Sequence, residues 1–446
     1  MRSFIKKFIK KIIIGMNPKI TRKIFDFAVF VLDTIRNSSC TFVYKIHKRM
    51  DPSNFLPEGT VEKKGNQVLL EDLLVETTKK RIRIVYPSGT SWSCIGTLYD
   101  ALKADDRYQV YVITENYPNY IKVMVDKKCD YITLDDYDIT QDKPDVLIMT
   151  SYSSTPKKLK LEEIHKFAGK IIALFPNVII NEPDMDDHWR WVKNAYEIVN
   201  PDYYLFDSLP YKFSGGYIDE DKAVHIGCPI FDELYEKMQN ASECHKSYEK
   251  LKGKKTFLWA TDHGIRETHA IEALSIDLYI KEFFEYFAEH TELGLIIRLH
   301  PYLKRELLKA GSFWTESDFA KIREYCDKSP NIVWDEVQDY SYAFKASDAL
   351  LVDVNCGFTF SYLVTGKPIC RLMRNDMSVS LIHPEFNDAY YFAKNMDECK
   401  NFINTVVSQT DTKKEKRKTV FKETIHFFDG QNGQRIKAFI DEKVFS

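Results

Sequence analysis

The sequence predicts an α/β protein with two doubly wound parallel sheets facing one another across a cleft. Three observations carry that reading. Short apolar, β-branched runs alternate with helical patterns, a rhythm that places helices on both faces of a mostly parallel sheet. The rhythm breaks once, near residues 225–255, and then starts again. A chain of 446 residues with 44% hydrophobic composition is also too long for one ordinary domain and apolar enough for two cores.

The first 50 residues stand apart from both halves. They hold 12 Lys and Arg against Asp26 and Asp33 alone, whereas the remainder carries 51 basic and 63 acidic residues. Phe4, Ile5, Phe8, Ile9, Ile12 and Ile13 share one helical face, and Lys6, Lys7, Lys10 and Lys11 share the other. The longest apolar run, Phe27 to Leu32, is too short to span a bilayer, and no small-residue cleavage site follows a long apolar core. The expectation is a basic amphipathic helix lying on an anionic membrane surface, attached peripherally. The alternative is a helix packed on its own protein with solvated lysines. The acidic remainder and the lack of a recognition motif argue against a nucleic-acid partner. Nine scattered cysteines without a CxxC pair point to reduced thiols in a cytosolic setting, mostly as small buried side chains.

The first alternation opens with a strand at 81–87. A Gly/Ser/Thr loop (Ser88, Gly89, Thr90, Ser91, Trp92, Ser93) and a helix follow. Further strands are expected at 108–114, 145–151, 170–176 and 203–207, with helical patterns near 159–168 and 188–198. A Gly-Cys-Pro turn at 227–229 and a charged bridge at 245–255 end this half. The second alternation predicts strands 255–261, 294–300, 331–334, 349–353 and 368–372, and helices 275–291, 316–327 and 357–365. Helices 396–408 and 432–444 close the chain. The expected organisation is a membrane-associating segment at 1–50, sheet domains at 80–245 and 254–430, and a C-terminal helix at 431–446. The acidic groups Asp135, Asp136, Asp138 and Asp184, Asp186, Asp187 read as solvated loops, so no metal is expected.

In open parallel sheets ligands sit beyond the carboxyl ends of the strands, which directs attention to the residues there. In the second half these are Thr261, Asp262, His263 and Gly264; Arg298, His300 and Pro301; and Asp353, Asn355, Cys356 and Gly357. Arg298 and His300 are two apart on a strand and share a face, while Pro301 cannot extend the ladder and puts His300 at the rim. The pair suits a phosphate, with Arg binding oxygens in a fork and His exchanging a proton near neutrality. It suits equally a strand-capping His beside an Arg in a surface ion pair. Gly357 opens a helix straight after a buried strand, leaving backbone N–H groups for an anion. The run lacks GxGxxG and Walker spacing, and no local signature makes Cys356 a nucleophile.

The ordered runs "FLWATDHGI", "IIRLHPYL", "NIVW", "DYSYAFKASDALLVDVNCGFTFSYLVTGKPICRL" and "YYFAKNMDECKNFI" resemble the CDP-glycerol glycerophosphotransferase family, which builds teichoic-acid and related capsular polymers. The resemblance covers roughly residues 200–440 and includes "GCPIFDELYEK". It implies a GT-B architecture with the nucleotide donor on the second domain and the acceptor on the first. It also implies no required metal or other cofactor, and membrane-associated members acting at the cytoplasmic face on lipid-linked acceptors. His300 matches the His of the family's strand-end His-Pro motif, which implies donor phosphate binding and a part in catalysis. Asp353 matches the Asp of the family's Asp-Tyr-Ser-Ser motif, whose hydroxyls contact the donor. Here Val354, Asn355 and Cys356 follow, so both serines are missing, and Asn355, the Gly357 N–H and Thr359 are the candidates to replace them. The family's Trp-His-Gly-Thr-Pro motif, which carries a proposed base, is absent as well. "ALFPNVIINEP" (173–183) stands in its place, with Asn177 expected on the acceptor side together with Ser88, Gly89, Thr90 and Ser91. His263 is the candidate base.

The reaction so implied moves a polyol phosphate from a CDP-activated donor to an acceptor hydroxyl. Two other readings stay open: a GT-B sugar transferase using a nucleotide sugar, and a non-catalytic binding subunit that kept the fold.

Overall fold

The computed structural model describes residues 65–446 except 76, 87–90, 151–158, 160, 175–198, 207–218, 240–244, 263–273, 301–302, 310–313, 338, 354–356 and 374–383. The expected amphipathic segment at 1–50 and the expected helix near 188–198 lie outside the described residues. Residues from Lys63 to Ser446 form one compact unit that holds both sheets.

The first sheet comprises β1 (Lys80–Tyr86), β2 (Tyr108–Thr114), β3 (Tyr131–Thr133), β4 (Val146–Met149), β5 (Lys170–Leu174), β6 (Tyr203–Phe206) and β7 (Ala223–His225). All pairs are parallel, in the order β3-β2-β1-β4-β5-β6-β7. The second comprises β8 (Lys255–Ala260), β9 (Leu293–Arg298), β10 (Ile332–Trp334), β11 (Ala349–Asp353), β12 (Ile369–Leu372) and β13 (Tyr391–Ala393). It is parallel too, in the order β10-β9-β8-β11-β12-β13. Each order reverses direction once, between β1 and β4 and between β8 and β11. Ile82, Ile84, Val85, Leu350, Leu351 and Val352 are all wholly buried. That continuous burial is why these strands read as unbroken apolar runs instead of alternating ones. Three edge strands, β3, β7 and β13, escape the sequence reading. At three residues each, they are too short to show a period and are defined by the neighbour they pair with.

One charge inside the first sheet was not foreseen. Arg83 and Asp142 are completely buried, and the guanidinium donates from Nε to Oδ2 and from Nη2 to Oδ1, both at 2.7 Å. Arg83 Nη1 donates to the Gln109 carbonyl at 2.8 Å, and Tyr137 donates its hydroxyl to Asp142 Oδ2 at 2.9 Å. Every strong group in the cluster is therefore matched, the condition under which a buried ion pair is tolerated.

The helices that matter for the site are α1 (Gly96–Lys103), α2 (Pro229–Gln239), α3 (Ile276–Glu289), α4 (Ser341–Ala346), α5 (Phe358–Ser361) and α6 (Asn432–Lys443). The last of these belongs by contact to the first half, although it follows the second in sequence. Phe439 packs on Tyr203 with ring centroids 5.1 Å apart, Lys437 pairs with Asp105 at 2.8 Å, and Asp441 pairs with Arg107 at 3.1 Å. A Cβ at Gly433 would lie 2.5 Å from the Thr97 carbonyl carbon, so only glycine lets α6 meet α1 this closely. Asp232 on α2 fastens the junction, accepting from the Asn432 and Gly433 amides at 2.8 Å each and from Thr97 Oγ1 at 2.7 Å. Gly227 in the turn before α2 has φ +90°, and a Cβ there would fall 1.9 Å from Asn432 Oδ1. Both halves of the Gly-Cys-Pro motif are thereby explained: the turn requires glycine, and the helix it launches carries the carboxylate.

Asp142→Ala leaves a buried guanidinium without its counter-ion and is expected to cost about 3–5 kcal/mol, read from urea unfolding of the purified chain.

Candidate functional site

The ends of β9, β8 and β11 lie side by side in the middle of the second sheet, at and beside its switch point. The sequence selects these three ends by their position after strands of a parallel sheet. The backbone ties them together: Thr261 N donates to the Arg298 carbonyl at 3.3 Å, and His300 N donates to Thr261 Oγ1 at 3.3 Å. The His300 carbonyl accepts from Leu303 N at 2.9 Å, at the start of the helix Leu303–Lys309. His300 is half-buried at that corner.

Asp353 differs from expectation. The side chain is completely buried, and both oxygens are taken by the protein. Oδ2 accepts from Asp262 N at 2.8 Å, and Oδ1 accepts from Ser275 N at 3.0 Å and from the Ser275 hydroxyl. Trp259 Nε1 donates in turn to Ser275 Oγ at 3.1 Å. Asp353 therefore does not touch a donor directly. It pins the loop leaving β8 and the start of α3 to the end of β11, and so sets where the neighbouring residues stand. Burial pushes its carboxyl up to about 8, against the three donors, which favour the ionised form.

Arg298 also turns out to be engaged within the protein. Nη1 donates to Asp335 Oδ2 at 2.6 Å and to the Val337 carbonyl at 2.7 Å. This is the ion-pair alternative, except that the partner carboxylate is wholly buried. Asp335 was missed by the sequence reading, although it follows β10 directly and the strand-end rule applied to "NIVWD" would have picked it out. Ser275 carries no local signal and is found only through Asp353.

Gly357 stands at the start of α5 with φ −60°, and a Cβ added there would meet nothing within 4 Å. Neither backbone strain nor packing within the described residues demands glycine, and Gly357 itself is exposed. Thr359 is buried, and its hydroxyl has no hydrogen-bond partner among the described residues. On the first sheet the switch point between β1 and β4 is bridged by Thr150 Oγ1 donating to the Val85 carbonyl at 2.9 Å. Ser91 follows β1, exposed, with its hydroxyl 2.8 Å from that of Ser93. His263, Asn355, Cys356, Ser88, Gly89, Thr90 and Asn177 lie outside the described residues.

Comparison with known proteins agrees with this geometry. The fold is that of two-domain GT-B-like proteins. S. aureus MnaA in its UDP co-structure shares 17% identity with a TM-score of 0.55, covering 81% of this chain and 96% of that one. The wall teichoic acid polymerase TagF shares 13% identity with a TM-score of 0.53, covering 84% and 90%. The Neisseria meningitidis UDP-GlcNAc 2-epimerase bound to UDP-GlcNAc shares 14% with a TM-score of 0.54, covering 81% and 100%. No curated protein matches the chain. The sequence model of the CDP-glycerol:poly(glycerophosphate) glycerophosphotransferase family matches residues 214–442, just over half of the chain. The protein belongs to that family and is an enzyme of the glycerophosphotransferase type.

The raised carboxyl of Asp353 makes a pH-dependent contribution to stability. Between its ordinary value of 3.8 and about 8 the folded chain keeps a proton that the unfolded chain releases. The contribution is thus present in full below about pH 4 and is lost as the pH rises through about 8. Asp353→Asn cannot ionise. Its unfolding free energy, measured by chemical denaturation across this range, is expected to lack that decline while being lower overall through the lost acceptor.

Proposed function

We propose that the enzyme transfers glycerol phosphate, or a related polyol phosphate, from a CDP-activated donor to a hydroxyl of a lipid-linked or polymeric acceptor. The setting is cell-wall or capsule polymer synthesis at the cytoplasmic face of the membrane, and CMP is released. The observation that carries the reading is the joining of the His300, Thr261–Asp262 and Asp353 strand ends on the second sheet, in a chain whose family transfers glycerophosphate. A TagF structure of the same fold class was soaked with CDPG, which supports a CDP-linked donor here.

In this mechanism the acceptor oxygen attacks the β-phosphorus of the donor. The new O–P bond forms as the bond from that phosphorus to the bridging oxygen breaks, and the electron pair leaves with CMP. His263 takes the acceptor proton. His300, with the amide of Gly357, holds the phosphoryl oxygens, where charge is redistributed in the transition state. Asn355 and Cys356 occupy the places of the family's serines beside the donor. The acceptor approaches past the 88–91 loop and Asn177. Asp353 acts through the loops it pins, and positioning of this kind supplies much of the rate in phosphoryl transfer.

Purified protein incubated with CDP-glycerol, CDP-ribitol and UDP-sugars separates this reading from a sugar transferase and from a non-catalytic subunit. CMP release from a CDP-polyol is expected, with a fall of at least about 100-fold in both His263→Ala and His300→Ala. Release of UDP alone, or CMP release unchanged in both variants, would overturn the assignment.

The basic N-terminus, net +10 over residues 1–50, supports attachment to an anionic surface at about 1 kcal/mol per basic residue near the lipid. The full chain is expected to sediment with anionic but not neutral liposomes and to be released by high salt. Retention in the supernatant with anionic liposomes contradicts it.

A further inference from the structure

At the outer edge of the second sheet, Asp335 leaves β10 with its side chain wholly buried and gathers groups from three parts of the chain. Oδ1 accepts from the Tyr248 hydroxyl at 2.9 Å and from Val337 N at 3.0 Å, and Oδ2 accepts from Arg298 Nη1 at 2.6 Å. The same Arg298 nitrogen reaches the Val337 carbonyl at 2.7 Å, and Asp335 N donates to the Ile297 carbonyl at 2.8 Å. Both backbone groups of Val337 are therefore committed, and the loop leaves the edge strand in one direction. Tyr248 comes from the short turn Lys246–Leu251, within the bridge that joins the two halves.

The far end of the loop is fixed as well. Asp339 accepts from Ser341 N at 2.9 Å and pairs with Lys237 of α2 at 3.3 Å. Between these anchors Tyr340 lies with its ring centroid 5.1 Å from that of Phe358, the residue following Gly357, and the Arg298 guanidinium stands 6.0 Å from the Phe358 ring. Asp335 and Tyr248 are too deeply buried to meet a ligand, so any influence they have must pass through Arg298, Val337 and the loop.

We infer that Asp335, Arg298 and Tyr248 form one positioning unit that holds the 335–340 loop and Tyr340 beside the donor's strand ends, and so sets affinity for the CDP-activated donor. The inference rests on the transferase reading above. A charge-assisted network of this kind is non-additive, because removing one member loosens the others. It also couples the bridge between the halves to the site, since Tyr248 belongs to the bridge.

The test uses the full chain and the variants Tyr248→Phe, Arg298→Lys and Asp335→Asn. CDP binding is measured by calorimetry, and exchange of the 335–341 amides by hydrogen–deuterium exchange. Tyr248→Phe, which keeps the ring and loses one hydrogen bond, is expected to weaken CDP binding about 3–10-fold. The loop amides should exchange faster while those of β11 do not. Asp335→Asn is expected to weaken binding at least about 10-fold. In turnover the donor KM rises while kcat holds within about twofold, and the double variant Tyr248→Phe/Arg298→Lys is less than the product of its parts. Loop exchange and CDP affinity both unchanged in Tyr248→Phe overturn the inference even if Asp335→Asn fails to fold. A fall in kcat at constant KM also overturns it. Wild-type protein that binds no CDP overturns the transferase reading and the inference with it. Wild type that binds CDP, with variants that match it, overturns the inference alone.

Discussion

Asp232 accepts hydrogen bonds from donors that lie 135, 200 and 201 residues away in the chain, one on α1 and two at the start of α6. Hydrogen bonds to a charged acceptor contribute about 1.5–3 kcal/mol each when buried. Together they decide where the end of the chain returns. Without the glycines at 227 and 433 the contact could not close, because side chains would collide with Asn432 and with the Thr97 backbone. Two sheet domains keep one arrangement only if their junction is held, and this carboxylate is a principal fastening.

A second buried carboxylate does for the site what Asp232 does for the junction. Asp353 draws the ends of β8 and β11 and the start of α3 to one point, using main-chain donors that any residue could supply. Asp335 gathers the end of β9, the interdomain bridge and the loop after β10. In each case a short carboxyl side chain satisfies amides that strand ends and turns would otherwise leave unpaired. Residues that looked like ligands from their strand-end positions thus prove to be the frame. His300, half-buried, and Gly357, exposed, stand at the same strand ends as these framing carboxylates.

Much of this was legible in the chain. The central strands, the break at 225–255 and the strand-end rule identified the three backbones that converge. The family resemblance named the donor class that membership in the glycerophosphotransferase family supports. Three of the four edge strands, β3, β7 and β13, were not legible, because three residues carry no period. The buried pair Arg83–Asp142 was not legible either, since a lone arginine in an apolar run gives no hint of a partner 59 residues on. The roles of Arg298 and Asp353 could not be read because sequence spacing reports which strand end a side chain occupies and not whether it turns inward.

By itself, the sequence determined the elements and the chemistry they could offer: parallel strands from apolar β-branched runs, a glycine turn before α2, a His-Pro strand end, a basic N-terminus. Those follow from local rules of periodicity, backbone freedom and charge. Only the tertiary structure decided which charged groups were partners of one another. It also placed the C-terminal helix on the first half, not the second. The reason is physical. A buried carboxylate must find its donors wherever the fold brings them, and the distances that satisfy it are set by packing between segments up to 201 residues apart.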